Sequence, residues 1–421
     1  MAFVLKTAKT LRNNWKKSTF FALVLTWGGS YTKNYFDTQN LMRAYCERAA
    51  RFGNQTIPVT ESPRSITVIL NPNANKRKAQ TEFEKYCVPL LYLAGISVEI
   101  VKTESEGHAK DVVNSINGTE AVVVAGGDGT LSEVITGLLR RTNENANGLV
   151  PLGVLPLGKN NSIGQFLFPG KSKLDRVKSL ADATMAIVEE ATKPMDVLRI
   201  EILNEDKKPV YAVSGIKWGA YRDAEVKKDS YWYFGGLKKY VTYLFNGLKS
   251  SLSWNCQAEL YYSPPCPGCS NCVQVQSSLS RSKWFQSFMK ENETVKKYQK
   301  VSNPQCGEKI QRQISTTDLT LFTSNVIPSG IDDIPKINLF IGPPDVDYIE
   351  FVKQGWNYER NGSREIKENI EARTIEIDPK NINGKQAWFS IDNEAYEAKP
   401  IKVTLLPKLL KMYCKKEVVM H

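Results

Sequence analysis

The segment Ala125-Gly126-Gly127-Asp128-Gly129-Thr130 constrains this chain more than any other feature. It follows Ala121-Val122-Val123-Val124, an apolar run without alternation, which predicts a strand buried on both faces. It precedes Leu131, Val134, Ile135, Leu138 and Leu139, whose spacing predicts a helix. Strand, glycine turn and helix in that order present free backbone N–H groups at a helix N-terminus, where the helix dipole favours an anion. Glycines let that anion approach without Cβ obstruction. A carboxylate inside such a loop repels phosphate, so Asp128 makes sense beside a bridging Mg²⁺ or as a proton acceptor. The turn is not a dinucleotide fingerprint, because Ser132 stands where a third glycine is required. Thr130-Leu131-Ser132-Glu133 also fits a capping box, so Glu133 reads either as a nucleotide-site residue or as a structural cap.

The surrounding pattern predicts an α/β domain. Strands are expected over 66–70, stopped by Asn71-Pro72, and over 98–101 and 150–157, with a helical segment over 83–93. Strands alternating with helices argue for a parallel sheet. Gly153 to Asn160 nearly matches a P-loop, but Asn160 lacks the hydroxyl and Pro156 interrupts the cradle. It reads as the turn after a fourth parallel strand, opening on the same sheet edge as the glycine loop. Past Asp196, short alternating runs over 197–202, 210–213, 319–323, 337–341, 388–391 and 401–406 predict a mainly antiparallel β domain. The expected division is 1–60, a basic segment and linker; 61–195, the nucleotide-binding domain; and 196–421, the β-rich domain, with an insertion over 263–315. The active site is expected in the cleft between the two domains. The aromatic residues Trp218, Tyr221, Tyr231, Trp232, Tyr233 and Phe234 read either as an apolar groove or as core.

Charge narrows the partners. There are 56 Lys and Arg against 44 Asp and Glu in 421 residues, a net charge of +12, which favours an anionic partner. The first carboxylate is Asp37, and the leader before it carries Lys6, Lys9, Arg12, Lys16, Lys17 and Lys33 around a short apolar run over 20–25. That run is far shorter than the ~20 residues of a helical span. The leader reads as a mitochondrial targeting or interfacial anchoring segment, and an acidic membrane surface is an expected partner. No recognition module accompanies the charge, so nucleic acid is not an expected partner. Cys266, Cys269 and Cys272 form a C-x2-C-x2-C run, with Cys256 or Cys306 as a fourth ligand for zinc; disulfides and unligated thiols are the other readings, and the last is the default.

Five motifs occur in order: Asn71-Pro72, Thr103 with Gly107-His108-Ala109, Gly126 to Thr130, Pro156-Leu157-Gly158 with Asn161, and Asp392-Asn393-Glu394. Together they resemble the lipid kinases that share the diacylglycerol kinase catalytic domain, including sphingosine and ceramide kinases. The leader ending Leu25-Thr26-Trp27-Gly28-Gly29, the segment 136–142, Trp218-Gly219 and Tyr231-Trp232-Tyr233 are similar to the mitochondrial acylglycerol kinase branch of that family. The resemblance implies ATP as co-substrate with Mg²⁺. It implies ATP binding by Asn71, Thr103, Gly126, Gly127, Gly129, Thr130 and Gly158, with Asp128 beside the phosphates and metal. It also implies a general base near the carboxyl end. Asp392 or Glu394 fills that role, with Asp128 as the alternative. The implied reaction is transfer of the γ-phosphate to monoacylglycerol and diacylglycerol, giving lysophosphatidic and phosphatidic acid. The implied location is the mitochondrial inner membrane, facing the intermembrane space. A second role implied by the resemblance is a scaffold for the inner-membrane carrier import complex. Lys159, Asn160 and Ser162 depart from the family pattern around the nucleotide pocket.

Overall fold

The structure, a computed structural model, describes residues 13–416 apart from 59, 61, 146–147, 171, 249–251, 267–268, 271–300, 305, 326–333, 363 and 381–386. It opens on helix α1 (Trp15–Gly53), 39 residues long. The first turns of α1 expose Phe20, Phe21, Leu23, Leu25 and Trp27, while Met42, Tyr45, Cys46 and Phe52 pack on the body. Tyr45 donates to Asp182 at 2.5 Å, and Arg48 pairs with Glu189. Among the described residues no helix is long and apolar enough to cross a membrane.

The first domain runs β1 (Ser65–Leu70), α2 (Ala79–Tyr86), α3 (Val88–Leu93), β2 (Ser97–Lys102), α4 (His108–Ser115), β3 (Ala121–Gly126), α5 (Asp128–Thr142), β4 (Leu152–Pro156), α6 (Ser162–Leu167) and α7 (Lys173–Val188). Strands β2-β1-β3-β4 are parallel neighbours in that order. β3 is buried along its whole length, as its unbroken apolar run requires. The helical segment expected over 83–93 is two helices, broken at Cys87. Pro89 lacks an N–H and is accommodated only in the first turn of α3.

The chain continues through β5 (Thr192–Ile202), β6 (Val210–Ala212), β7 (Gly215–Gly219), α8 (Ala220–Val226), a 3₁₀ stretch (Lys227–Leu237) and α9 (Lys238–Asn246). There follow β8 (Cys256–Ser263), β9 (Ile310–Thr316), β10 (Asp318–Thr323), β11 (Ile337–Ile341), α10 (Tyr348–Asn361), β12 (Glu368–Ala372), β13 (Thr374–Lys380), β14 (Trp388–Ile391), β15 (Glu394–Glu397) and β16 (Ile401–Tyr413). Strands β12-β11-β10-β7-β14-β15 make an antiparallel sheet. It packs on the antiparallel part of the first sheet through Ile216, Leu319 and Leu321 on one side and Leu260, Ile375, Ile377 and Val403 on the other.

The last strand joins the halves. Ile401 to Leu406 of β16 pairs with β5 inside the sandwich. Beyond a bulge, Leu410 to Tyr413 pairs with the start of β5, and Met412 meets Leu152 of β4. The bulge falls where Pro407 has no N–H to give the ladder; Lys408, at φ 52°, instead donates its amide to Asp196 at 2.8 Å. The strand therefore runs past the six residues that its alternation suggested. Three helices, α8 to α10, also lie within the domain expected to be mainly β, and β9 begins inside the interval read as an insertion.

These helices enclose a small core of Tyr221, Tyr243 and Phe351. Gly355 of α10 lies against the Tyr243 ring, and a Cβ there would come within 2.4 Å of it. Gly355→Ala is expected to lower the unfolding free energy by about 1–3 kcal/mol, because a buried ring has nowhere to move. Urea unfolding measures this, and a loss below about 0.5 kcal/mol would contradict the packing described.

Candidate active site

The glycine loop lies where β3 ends and α5 begins. Gly127 is the N-cap of α5 in extended conformation and supplies no capping side chain. The amides of Gly129 and Thr130 donate to no protein acceptor among the described residues. They are the orphan donors that every helix start leaves, here facing a cavity. The capping-box reading is corrected: α5 starts two residues before Thr130, whose Oγ1 accepts from Asn71 Nδ2 at 3.0 Å. Glu133 Oε1 accepts from the Gly107 amide at 2.9 Å and so fixes the loop before α4.

A second loop, after β4, rests on the first. The Gly158 amide donates to Gly126 O at 2.8 Å, and the Asp128 amide donates to Asn160 O at 3.1 Å. A Cβ at Gly158 would stand 2.3 Å from Gly127 Cα, so the loops meet this closely only with glycine there. Asn161 closes the second loop by bonding both the amide and the carbonyl of Gly158.

A hairpin turn reaches over from the other sheet. Asp392 (φ 45°) and Asn393 (φ 68°) form the two-residue turn between β14 and β15. Both left-handed positions take residues that tolerate them. The Asp392 carboxylate, 4% exposed, accepts from the amides of Val213, Ser214 and Gly215 at 2.8–3.0 Å. Asn393 Nδ2 donates to Asp128 Oδ2 at 2.7 Å and to Ser162 Oγ at 2.9 Å. Ser162 gives Asp128 both its amide and its hydroxyl. Glu394 hangs over Gly129, where a Cβ would come within 2.6 Å of its Oε1.

Two cavities flank this knot. One, of about 480 Å³, holds Asn71, Thr103, Gly127, Gly129, Thr130, Glu133 and Gly158 in its wall together with Asp128 and Glu394. Gly126 lies one step behind that wall as the last residue of β3. The other, of about 470 Å³, lies across the knot against β7, β10 and β11 and includes Asp392. Asn393 belongs to both walls. The second cavity has an apolar side of Phe322, Phe340 and Ile366. Its floor is a buried ionic group: Lys217 bonds Glu225 at 2.9 Å, and Arg364 bonds Asp318 at 2.9 Å and pairs with Glu225. Asp318 Oδ1 and Arg364 Nε are buried there with no protein partner. Of the aromatic residues considered for a groove, Trp218 and Tyr221 are core, while Trp232 and Tyr233 face solvent away from this cavity.

The carboxyls of the knot are poised by burial. Glu394 is pushed up to about 7 by burial and by the charges of Glu133, Glu106 and Asp392, against the bond from Tyr396. Asp392 is pushed up to about 6 by burial, with the three amides opposing. Burial also raises Asp128, again against its hydrogen bonds. Around the mouth, the Lys159 ammonium is held below its ordinary value by burial and by Lys238, Lys76 and Lys228. Of these, Lys159 stands in the cavity wall; it and Lys238 pair with Asp229, and Lys228 pairs with Glu359. Sequence reasoning left Ser162 as a departure and gave Asn393 no role within its motif, yet both grip Asp128. Their register is set by a contact between segments 231 residues apart, which no local pattern encodes. Of the cysteine run, Cys266 and Cys269 lie far from this site in sequence, beyond β8, and Cys272 lies outside the described residues.

Residues 65–200 match the diacylglycerol kinase catalytic domain model, and 213–420 match the acylglycerol kinase C-terminal model. The chain is 38% identical over 423 residues to "Acylglycerol kinase, mitochondrial" of Homo sapiens, covering 96% of each chain, and 35% identical to that of Xenopus laevis, covering 98% of this chain and 96% of the other. Human sphingosine kinase 1 is 28% identical over 43% of this chain and 47% of its own length. A crystal structure of a diacylglycerol kinase from Bacillus anthracis shares the fold, with a TM-score of 0.51 at 17% identity, covering 85% of this chain and all of the other.

The raised Glu394 carboxyl carries a stability consequence. Its folded value lies above its unfolded one, so the folded state is favoured below about 4.5 and loses that contribution as pH rises through about 7. Glu394→Gln is therefore expected to raise the melting temperature at pH 8 and to leave it near that of the parent at pH 4. Equal shifts at both pH values would refute the strained carboxylate.

Proposed function

As the chain belongs to the acylglycerol kinase family, an ATP-dependent lipid kinase family, we propose that it phosphorylates monoacylglycerol and diacylglycerol, giving lysophosphatidic and phosphatidic acid. The observation that carries this reading is the pair of cavities sharing Asn393. One offers orphan amides and Lys159 to a triphosphate. The other offers an apolar wall to an acyl chain, and offers Asp318 Oδ1 and Arg364 Nε to the polar glycerol backbone.

The residues divide the work. Gly129 and Thr130 amides bind the phosphates, and Gly158 keeps the second loop against them. Asn71 and Thr103 line the nucleotide side. Asp128 is a hard oxygen donor whose carboxyl is raised by burial, and a divalent cation would relieve that, so it fits Mg²⁺. Asp128 would hold it; when bound, it neutralises phosphate charge. Glu394 accepts the proton of the lipid hydroxyl. Its value near 7 matches a base working at neutral pH, and its carboxylate accepts a bond from Tyr396 at 3.2 Å. Asp392, occupied by three amides, positions the turn and does not exchange protons with substrate.

The names of the curated relatives support a mitochondrial location. Attachment to an acidic membrane surface is part of the proposal. Trp232, Tyr233 and Leu237 are 73%, 62% and 62% exposed beside Lys227, Lys228, Lys238 and Lys239. Aromatic side chains with flanking lysines suit a lipid–water interface.

Labelled ATP and a lipid panel in detergent micelles test the reaction. Label is expected in monoacylglycerol and diacylglycerol and not in ceramide or sphingosine; exclusive labelling of ceramide or sphingosine, or of no lipid, overturns the proposal. Glu394→Gln should lower kcat by roughly 10²–10⁴ with nucleotide affinity nearly unchanged, and wild-type activity should fall as pH drops below 7. On anionic vesicles, the double variant Trp232→Ser, Leu237→Ser should float less protein while retaining activity in micelles. Unchanged flotation would remove this surface from the proposal.

A further inference from the structure

Beyond the end of the β8–β9 ladder, whose last pair joins Tyr262 to Ile310, three cysteines converge. The Sγ atoms of Cys266, Cys269 and Cys306 all lie within 4.8 Å of one another, and none is in a disulfide. Cys269 is fully buried and the other two half-buried. We propose that these three thiolates bind a zinc ion, which clasps the base of the chain segment between Ser270 and Val301.

Four observations support the site independently. The first is spacing: a tetrahedral zinc with bonds of about 2.3 Å places its sulfurs about 3.8 Å apart, a contraction of an ångström or less from this arrangement. The second is the sequence pattern of the two contributing turns. Cys266-Pro267-Gly268-Cys269 is answered by Asn303-Pro304-Gln305-Cys306-Gly307, the same x-Pro-x-Cys frame with Asn in place of the first Cys. The third is local geometry. Gly307 has φ +88°, so the backbone folds back directly after Cys306, and Asn303 Nδ2 donates to Cys266 Sγ at 3.3 Å, as amide donors do around metal thiolates. The Cys306 amide bonds Asn303 O at 3.1 Å and the Ser270 amide bonds Val301 O at 2.9 Å, so the turns already face each other. The fourth is the setting: Val301, Ser302, Glu308, Lys309 and Ile310 are exposed, and no apolar cluster of the described residues includes these turns. Binding exchanges three thiol protons for the metal, with no change of oxidation state, and leaves the fourth corner to a solvent molecule or a further donor.

The expected composition is about one zinc per chain, by elemental mass spectrometry of full-length protein made in zinc-supplemented medium, without chelator or histidine tag. Cys269→Ser and Cys306→Ser should each abolish it, while Cys46→Ser on α1 should not. The wild-type chain is also read directly, which keeps the test independent of whether a serine variant folds. Cobalt loading of the metal-free protein should give the intense visible bands and near-ultraviolet thiolate charge transfer of a tetrahedral thiolate site. A mercurial thiol reagent should release the zinc stoichiometrically. Metal-free protein that takes up neither ion under reducing conditions, or a disulfide joining two of these cysteines in the freshly isolated chain, overturns the proposal.

Discussion

One side-chain amide holds the active site together. Asn393 Nδ2 reaches from a hairpin of the antiparallel sheet to the carboxylate that opens helix α5 in the parallel one. Its neighbour Asp392 points the other way, into three amides at the start of β7. The geometry of the turn makes this possible. Two consecutive left-handed residues are tolerated by few side chains, Asp and Asn among them, so the requirement for closing the hairpin also supplies a carboxylate and an amide side by side. Removing Asn393 takes one of the donors of a buried acid, and removing Asp392 leaves three amides without their acceptor, which costs more than an ordinary hydrogen bond contributes.

The first domain was largely legible in the sequence because each of its signals is local. A non-alternating strand, a glycine turn and a helical period adjoin one another between residues 121 and 139, and the structure puts β3, the loop and α5 there. The carboxyl-terminal domain was legible as a class and not in detail. β8 and β13 carry tyrosines, acids and lysines on their open faces, and their apolar positions are too few to show a period until they pair. The ionic group beneath the second cavity draws on Lys217, Glu225, Asp318 and Arg364, spread over 148 positions. A lysine in a short strand and an arginine after a helix have no individual signature. Their meaning lies in burial: Lys217 and Arg364 hold Glu225 at about 2 against the desolvation that would raise it.

The first cavity sets acids beside amide donors. Glu133, Glu106 and Asp392 act together with burial to raise Glu394, while Lys159 stands in the same wall. A polyphosphate there meets orphan amides and carboxylates side by side, an arrangement that favours a nucleotide arriving with a cation.

Water exclusion during transfer must come from elsewhere than closure of two hinged lobes. β5 and β16 are common to both, and their ladder runs from Ile401–Ile202 in the sandwich to Tyr413–Thr192 beside the parallel sheet. Rotation of one domain on the other would break this antiparallel ribbon, the Met412–Leu152 contact and the Asn393 bridge together. A cleft fixed in this way has its reacting groups pre-positioned, which serves the in-line geometry of phosphoryl transfer. It then needs a cover that arrives with the substrate. A lipid substrate would bring that cover with it, since the hydrocarbon that carries the hydroxyl also displaces water from Phe322, Phe340 and Ile366.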